Sequence, residues 1–298
     1  MTGLGALIRR NVKLFFHDKG MFFTSLITPL ILLVLYGTFL AGIYRDSFTS
    51  ALPAFFSVEE SLIDATVGGQ LASSLLAVSC VTVAFCSNLL MVQDKVSGAR
   101  RDLTVSPVRR STLAVGYFCA SALTTLIVSV TAYAVCLAYL GHMGWYLSAA
   151  DVLALLLDVV LLTLFGVALS SCVNFFLSTS GQASAVGTIV SAGYGFLCGA
   201  YMPISNFSEG LQKALSFLPG TYGTSLLRNH ALRGVYAELR AAGFPDEAVE
   251  MIRDSIDCNL YFYGEKVSVP AMYLILIAAV AVLTALYVLL NVLSAKRR

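Results

Sequence analysis

The residues of this chain that could do chemistry are few and widely spaced. Its three histidines, His17, His142 and His230, lie far apart, and none has a Cys or carboxylate at a metal-ligand spacing. No G-x-x-x-x-G-K-S/T run is present, so the chain carries no phosphate-binding loop for a nucleotide. Of seven cysteines, six (Cys80, Cys86, Cys119, Cys136, Cys172, Cys198) fall within apolar runs, where they read as small packing residues. Cys258 alone sits in a polar segment and has no disulfide partner there. The sequon Asn206-Phe207-Ser208 is short enough to arise by chance and is not read as a glycan site.

Two features stand out against this background. Asp158 lies inside an apolar run, about 10 Å along a helix from Asp151, where a charge costs roughly 2.5–3.5 kcal/mol. An acid at that depth faces the interior of a bundle or a hydrated path. It could relay protons or cations, touch a cargo, or act as a hydrogen-bonded group that joins helices. The lack of an intramembrane base beside it in sequence favours the last. The second feature is Gln93–Arg110, QDKVSGARRDLTVSPVRR, which holds five cations (Lys95, Arg100, Arg101, Arg109, Arg110) and two Asp between long apolar runs.

The elements that position these residues follow from hydropathy. The chain is 58% hydrophobic and only 12% charged, which marks an all-α integral membrane protein rather than a soluble fold. Six runs are long enough to cross a bilayer as helices: Met21–Ile43, Gln70–Val92, Leu113–Leu140, Asp151–Val173, Ala183–Met202 and Ala271–Leu293. No stretch alternates as an outer-membrane barrel strand does. The first run is too long for the core of a signal peptide and lacks a small-residue cleavage site, so no cleaved leader is expected.

Twelve of the nineteen Lys and Arg fall before the first run, in Gln93–Arg110 and in the tail. That bias places both termini and the segment between spans two and three in the cytoplasm. The net charge of +2 marks topology rather than a nucleic-acid partner. Ahead of the first span, Leu4, Leu7, Ile8, Val12, Phe15 and Phe16 recur at helical spacing among Arg9, Arg10 and Lys13, which predicts an amphipathic helix within residues 1–20 lying in the membrane interface.

On the outer side, Tyr44–Gly69 reads as a loop with Pro53, Glu59, Glu60 and Asp64, and Trp145 and Tyr146 sit at the membrane border. The segment 203–269 is the longest polar region. Its first part, Ile204–Leu218, spaces Phe207, Leu211, Ala214, Leu215 and Leu218 as a helix too short to cross, bounded by Pro203 and Pro219, which predicts a surface or re-entrant helix. Tyr236–Asp257 reads as a small solvated helical cap, and Ser268 and Pro270 as the start of span six. The glycines of span five (Gly187, Gly193, Gly195, Gly199) allow close packing. No internal repeat is visible.

Asp94-Lys95, Gly98, Leu103 and Ser106-Pro107 resemble the acid-Arg/Lys-x-x-Gly…Leu…Ser/Thr-Pro signature of type-2 ATP-binding-cassette exporter permeases. Gly195–Arg228, GFLCGAYMPISNFSEGLQKALSFLPGTYGTSLLR, is similar to that family's fifth span, outer re-entrant helices and Pro-Gly-Thr-Tyr segment. The amphipathic helix ahead of span one matches the family in place and character. Asp94 stands where Glu is commoner, Ala99 where Thr is usual and Arg101 where an acid is frequent.

The resemblance implies a transport subunit that is not itself an enzyme. It implies a pair of permeases, as two copies or two related chains, in a bacterial plasma membrane. Each would dock a separate ATPase that holds the ATP and magnesium. Asp94 to Leu103 would form a coupling helix seated in a cleft of the ATPase, with Lys95, Arg100 and Arg101 available for salt bridges. Ser106 would cap the next helix and Pro107 would take its first turn. The cargo implied is amphipathic (a drug, a lipid or a peptide), with wall-glycan export as the alternative. A secondary transporter driven through Asp158 is the reading of another class.

Overall fold

The computed structural model describes residues 3–35, 38, 41, 42, 45, 59–105 and 110–296. Ser106, Pro107, Pro53 and part of the outer half of the first expected span lie outside the described residues. The membrane-length helices are α3 (Glu60–Val96), α5 (Arg110–Met143), α6 (Ala149–Phe176) and α12 (Val269–Lys296). Ahead of them come α1 (Leu4–His17) and α2 (Lys19–Leu35), bent by 71° at Asp18. The bend has a local cause: Asp18 leaves helical geometry, and its carboxylate accepts the Met21 N–H at 3.1 Å, capping α2.

Among the described residues, four helices are long and apolar enough to cross a membrane, or five if α1 and α2 form one bent span. The chain is therefore an all-α, multi-pass membrane protein. The fifth expected span appears as α7 (Ser180–Leu197), which is helical but diluted by Gln182 and its Gly, Ser and Thr residues, and is not among those four.

The central element is α3. Its 37 residues reach about 55 Å, well beyond a hydrocarbon core of about 30 Å. Nearly all of Leu62–Val92 is buried, on every face of the helix. Small residues make this possible. At Gly166 of α6, an added Cβ would lie 3.0 Å from the Cys80 carbonyl oxygen and Val81 Cα of α3, so any larger residue would push these two backbones apart by a few tenths of an ångström. Polar seams tie the same helices. Ser87 meets Ser121 at 2.6 Å and Thr125 at 2.9 Å on α5, and Asn88 donates to Ser170 at 2.9 Å and Ser171 at 2.7 Å on α6. Each such bond contributes about 0.6 kcal/mol in a membrane bundle.

Several expectations are corrected. Glu60–Gly69, read as outer loop, forms the first turns of α3, and Arg45 pairs with Glu60 and Asp64 at 3.3 and 3.0 Å. Of the span-five glycines, Gly195 and Gly199 are closely packed, by Tyr201 and by Asp257 and Ile204, whereas an added Cβ at Gly187 or Gly193 would meet nothing within 4 Å, so those two make no packing seam inside the chain. Ile204–Leu218 is not one helix. It is a 3-10 turn (Ile204–Asn206) followed by α8 (Glu209–Leu215), of which only Leu215 is buried while Leu211 is exposed. The deep element is the next one, α9 (Pro219–Ala231), with Pro219 in its first turn and every residue from Gly220 to Ala231 buried. It packs on α3, α6 and α12.

Beyond it, α10 (Arg233–Ala241), α11 (Asp246–Ser255) and an antiparallel hairpin, β1 (Tyr261–Phe262) and β2 (Glu265–Lys266), form a cap. The cap is not merely solvated. Leu232, Val235, Leu239, Phe244, Val249 and Ile252 close a small core of their own over Leu62 and Ile63 of α3. Cys258 lies in it, with its thiol 3.1 Å from the Tyr236 hydroxyl. Burial pushes that thiol up to about 11, which leaves thiolate about four orders of magnitude scarcer than thiol at neutral pH. A membrane-impermeant maleimide should therefore not label Cys258 in the native protein at neutral pH, and should label it after denaturation. Prompt native labelling, read by gel shift, would contradict this packing of the cap.

Candidate functional site

The bundle has two polar ends. At the first, α3 finishes at Val96 and the chain turns at Gly98, whose φ of +85° is left-handed and favours glycine. The short helix α4 (Ala99–Val105) follows. Just before the turn, Asp94 points inward and is buried. It accepts from the two terminal Arg10 guanidinium nitrogens, at 2.6 and 3.0 Å, and from the Tyr117 hydroxyl at 2.5 Å. One carboxylate thus joins α1, α3 and α5 through a bidentate, charge-assisted pair.

Its neighbour Lys95 points the other way. The Lys95 ammonium donates to the carbonyls of Asn174, Phe175 and Leu177 at 3.0, 2.7 and 2.7 Å. These groups lie at the C-terminal end of α6, where only the Asn174 carbonyl also accepts a capping N–H, from Leu177, and a cation there also meets the negative end of the helix dipole. Lys95 is therefore committed inside the protein, and the expectation that it is available for a partner's carboxylate is corrected. Asp94 likewise lies on α3, not on the short helix.

What remains for a partner is α4 itself. Leu103 packs on the cluster of Leu7, Met91, Tyr117 and Tyr287 and anchors the helix. Arg101, Asp102, Thr104 and Val105 are exposed, Val105 at 84%. Arg100 is half-buried. The structure thus splits the predicted residues into an internal pair (Asp94, Lys95), a hinge (Gly98), an anchor (Leu103) and an exposed face led by Arg101.

At the other end, α9 carries Thr221, Thr224, Ser225, Arg228, Asn229 and His230 into the interior. Arg228 is fully buried. It donates to Gly199 O at 2.6 Å, Ile256 O at 2.8 Å and Ser74 of α3 at 3.2 Å, and lies 3.4 Å from the Asp257 carboxylate. Asp257 also accepts the Ile204 N–H at 2.6 Å. Burial pushes its carboxyl up, and the guanidinium and that N–H pull it back.

Two residues on, His230 Nδ1 lies 2.6 Å from Asp158 Oδ2, and the Tyr273 hydroxyl donates to Oδ1 at 2.6 Å. Asp158 is thus a hydrogen-bonded group joining α6, α9 and α12. The expectation that no base stands beside it is overturned, because His230 comes from a helix that the sequence places outside. Arg228 and His230 were missed because polar residues in Pro219–Ala231 argue against burial, and Tyr273 because nothing in an apolar span marks which side chain meets Asp158. The one available signal was the Pro-Gly-Thr-Tyr resemblance that covers the start of α9.

The chain matches the ABC-2 family transporter protein family over residues 49–287. The match runs from before α3 to the last third of α12, about four-fifths of the sequence, and the chain belongs to that family. It is the membrane-spanning subunit of an ABC transporter. A search of curated proteins found no match.

Removing one partner of a buried ion pair leaves the other charge stranded, which costs about 3–5 kcal/mol. An Arg228→Ala variant should therefore unfold far more readily in detergent than the parent. Arg228→Lys, which cannot span all four contacts, should fall between them. A melting curve unchanged by Arg228→Ala would contradict this packing.

Proposed function

We propose that this subunit is the permease of an exporter in a bacterial plasma membrane, driven by a separate ATPase that binds ATP and magnesium and that engages α4. In this reading the chain crosses six times, with α2 and α7 as the first and fifth spans and both termini cytoplasmic. The length of α7, about 27 Å, supports a crossing through a hydrocarbon core of about 30 Å. The Lys and Arg bias supports the orientation, since α1, α4 and the last turns of α12 share one end. The amphipathic α1 lies at the cytoplasmic interface, where Leu7 and Phe15 face protein and Arg9 and Lys13 remain exposed. A second permease, identical or related, completes the transporter, and the cargo is an amphipathic drug, lipid or peptide, with a wall glycan as the rival.

The observation that carries this reading is how α4 is mounted. A helix with an exposed outer face is hinged at Gly98 and anchored by Leu103, beside two internal clamps. A push on α4 reaches α1 and α5 through Asp94 and reaches α6 through Lys95. ATP-driven closure of the ATPases can then bias the bundle between two states.

A second reading is favoured by one observation, the contact of Asp158 with His230 and Tyr273. Such a group could carry a proton in a secondary transporter.

The two readings separate on reconstituted complex. Arg101→Glu combined with Val105→Asp should reduce cargo-stimulated ATP hydrolysis by about tenfold or more, as loss of an interfacial charge contact does. Asp158→Asn should keep most transport. Loss of transport in Asp158→Asn with hydrolysis intact in the α4 variant would replace the first reading by the second.

A further inference from the structure

A cavity of about 660 Å³ opens beneath α4, between the ends of α3 and α6, the start of α5 and the last turns of α12. Its charge is one-sided. Lys95, Arg100 and Arg101 line it, and no Asp or Glu does among the described residues. The intervening residues 106–109, Ser-Pro-Val-Arg, supply no acid either. Of the two carboxylates beside these cations in sequence, Asp94 is turned away and held by Arg10 and Tyr117, and Asp102 is exposed and does not line the cavity.

Nor is the positive charge cancelled from within. Lys95 is met only by neutral carbonyls. Arg100 and Arg101 have no ion pair among the described residues. Arg100 is half-buried and lines the cavity together with Lys95, Tyr117 and Tyr287. Two cations held side by side in a partly dry pocket repel each other unless an anion sits between them.

The walls narrow the choice of anion. Tyr117, Tyr287, Ser178 and Asn291 offer hydroxyls and an amide, while Phe175 and Phe176 form an apolar side. Phe176 is strongly exposed at the end of α6. The volume lies in the range of sites for small organic ligands, about 300–1,000 Å³, larger than a bare ion needs. From these features we infer that the cavity binds a phosphate-bearing anion, and that its source is the headgroup of an anionic phospholipid from the adjacent leaflet. Arg100 grips the phosphate within the positive potential that Lys95 adds, the Tyr117 and Tyr287 hydroxyl oxygens accept from the headgroup glycerol, and the acyl chains leave past Phe176. Basic pockets between membrane helices recognise anionic headgroups in this way. The site stands independently of ATPase docking, because it uses the inner side of Arg100 rather than the exposed face of α4.

The test uses the purified full chain, delipidated and then titrated with phosphatidylglycerol, phosphatidylcholine, glycerol phosphate or inorganic phosphate, with retention read by native mass spectrometry. One phosphatidylglycerol per chain should survive detergent washing, and phosphatidylcholine should not. Arg100→Gln should weaken retention by about tenfold or more, as expected for a charge-assisted bond. Arg100→Lys should keep most of it, and Arg9→Gln, an equal charge loss outside the cavity, should change nothing. Thermal melting of each variant establishes that it is folded. Equal retention of phosphatidylcholine, or wild-type retention in folded Arg100→Gln, would overturn the site. Displacement of the lipid by inorganic phosphate at equal concentration would overturn the lipid as its source.

Discussion

Protein occupies every face of α3, and the other helices stand where that burial allows them. A helix with no lipid-facing stripe meets its polar side chains against neighbouring helices, since little else in the interior can hydrogen-bond them. The Ser87 and Asn88 seams do this on two sides, and the glycine contact at Gly166 brings α6 close enough for the second. The same demand explains both ends of α3. Arg45 pairs with Glu60 and Asp64 at one, and Asp94 and Lys95 are clamped at the other.

The two ends are built for different work. Around α4, Lys95 is held by backbone carbonyls and Asp94 by Arg10 and Tyr117, which stiffens the mount and leaves a small exposed helix to receive force. Around α9 the arrangement is a network: Arg228 reaches two carbonyls, a serine and a carboxylate, and Asp158 bridges an imidazole and a phenol. Such a network stays intact only while α6, α9 and α12 keep their relative positions. Movement of any of these helices must exchange several bonds together, which is the condition for two discrete arrangements rather than a continuum.

Much of the fold is legible from residue patterns. Long apolar runs mark the helices now seen as α3, α5, α6 and α12, and the 3.6-residue rhythm of Leu4 to Phe16 marks α1. Ser268 begins α12 as its capping character suggests. The weaker readings share one cause. Hydropathy reports solvent preference residue by residue, so it took Pro219–Ala231 for an outer segment although its polar groups are matched by partners from other helices. It also took Glu60–Gly69 for a loop, because acids at the start of α3 mask a helix that extends beyond the bilayer. Ile204–Leu218 shows the converse, since apolar spacing alone does not hold a helix across Phe207 and Ser208.

Residue types and their order determined that the chain crosses a membrane as helices, which side holds most of its cations, and that a charged turn links two long helices. These properties follow from local free energies of transfer, which each segment carries independently of the others. Only tertiary structure decided which cations face inward, that His230 and Tyr273 close on Asp158, and that α9 rather than α8 enters the bundle. Those outcomes depend on pairs of groups far apart in sequence, and the stability of a buried charge belongs to the pair and not to either residue.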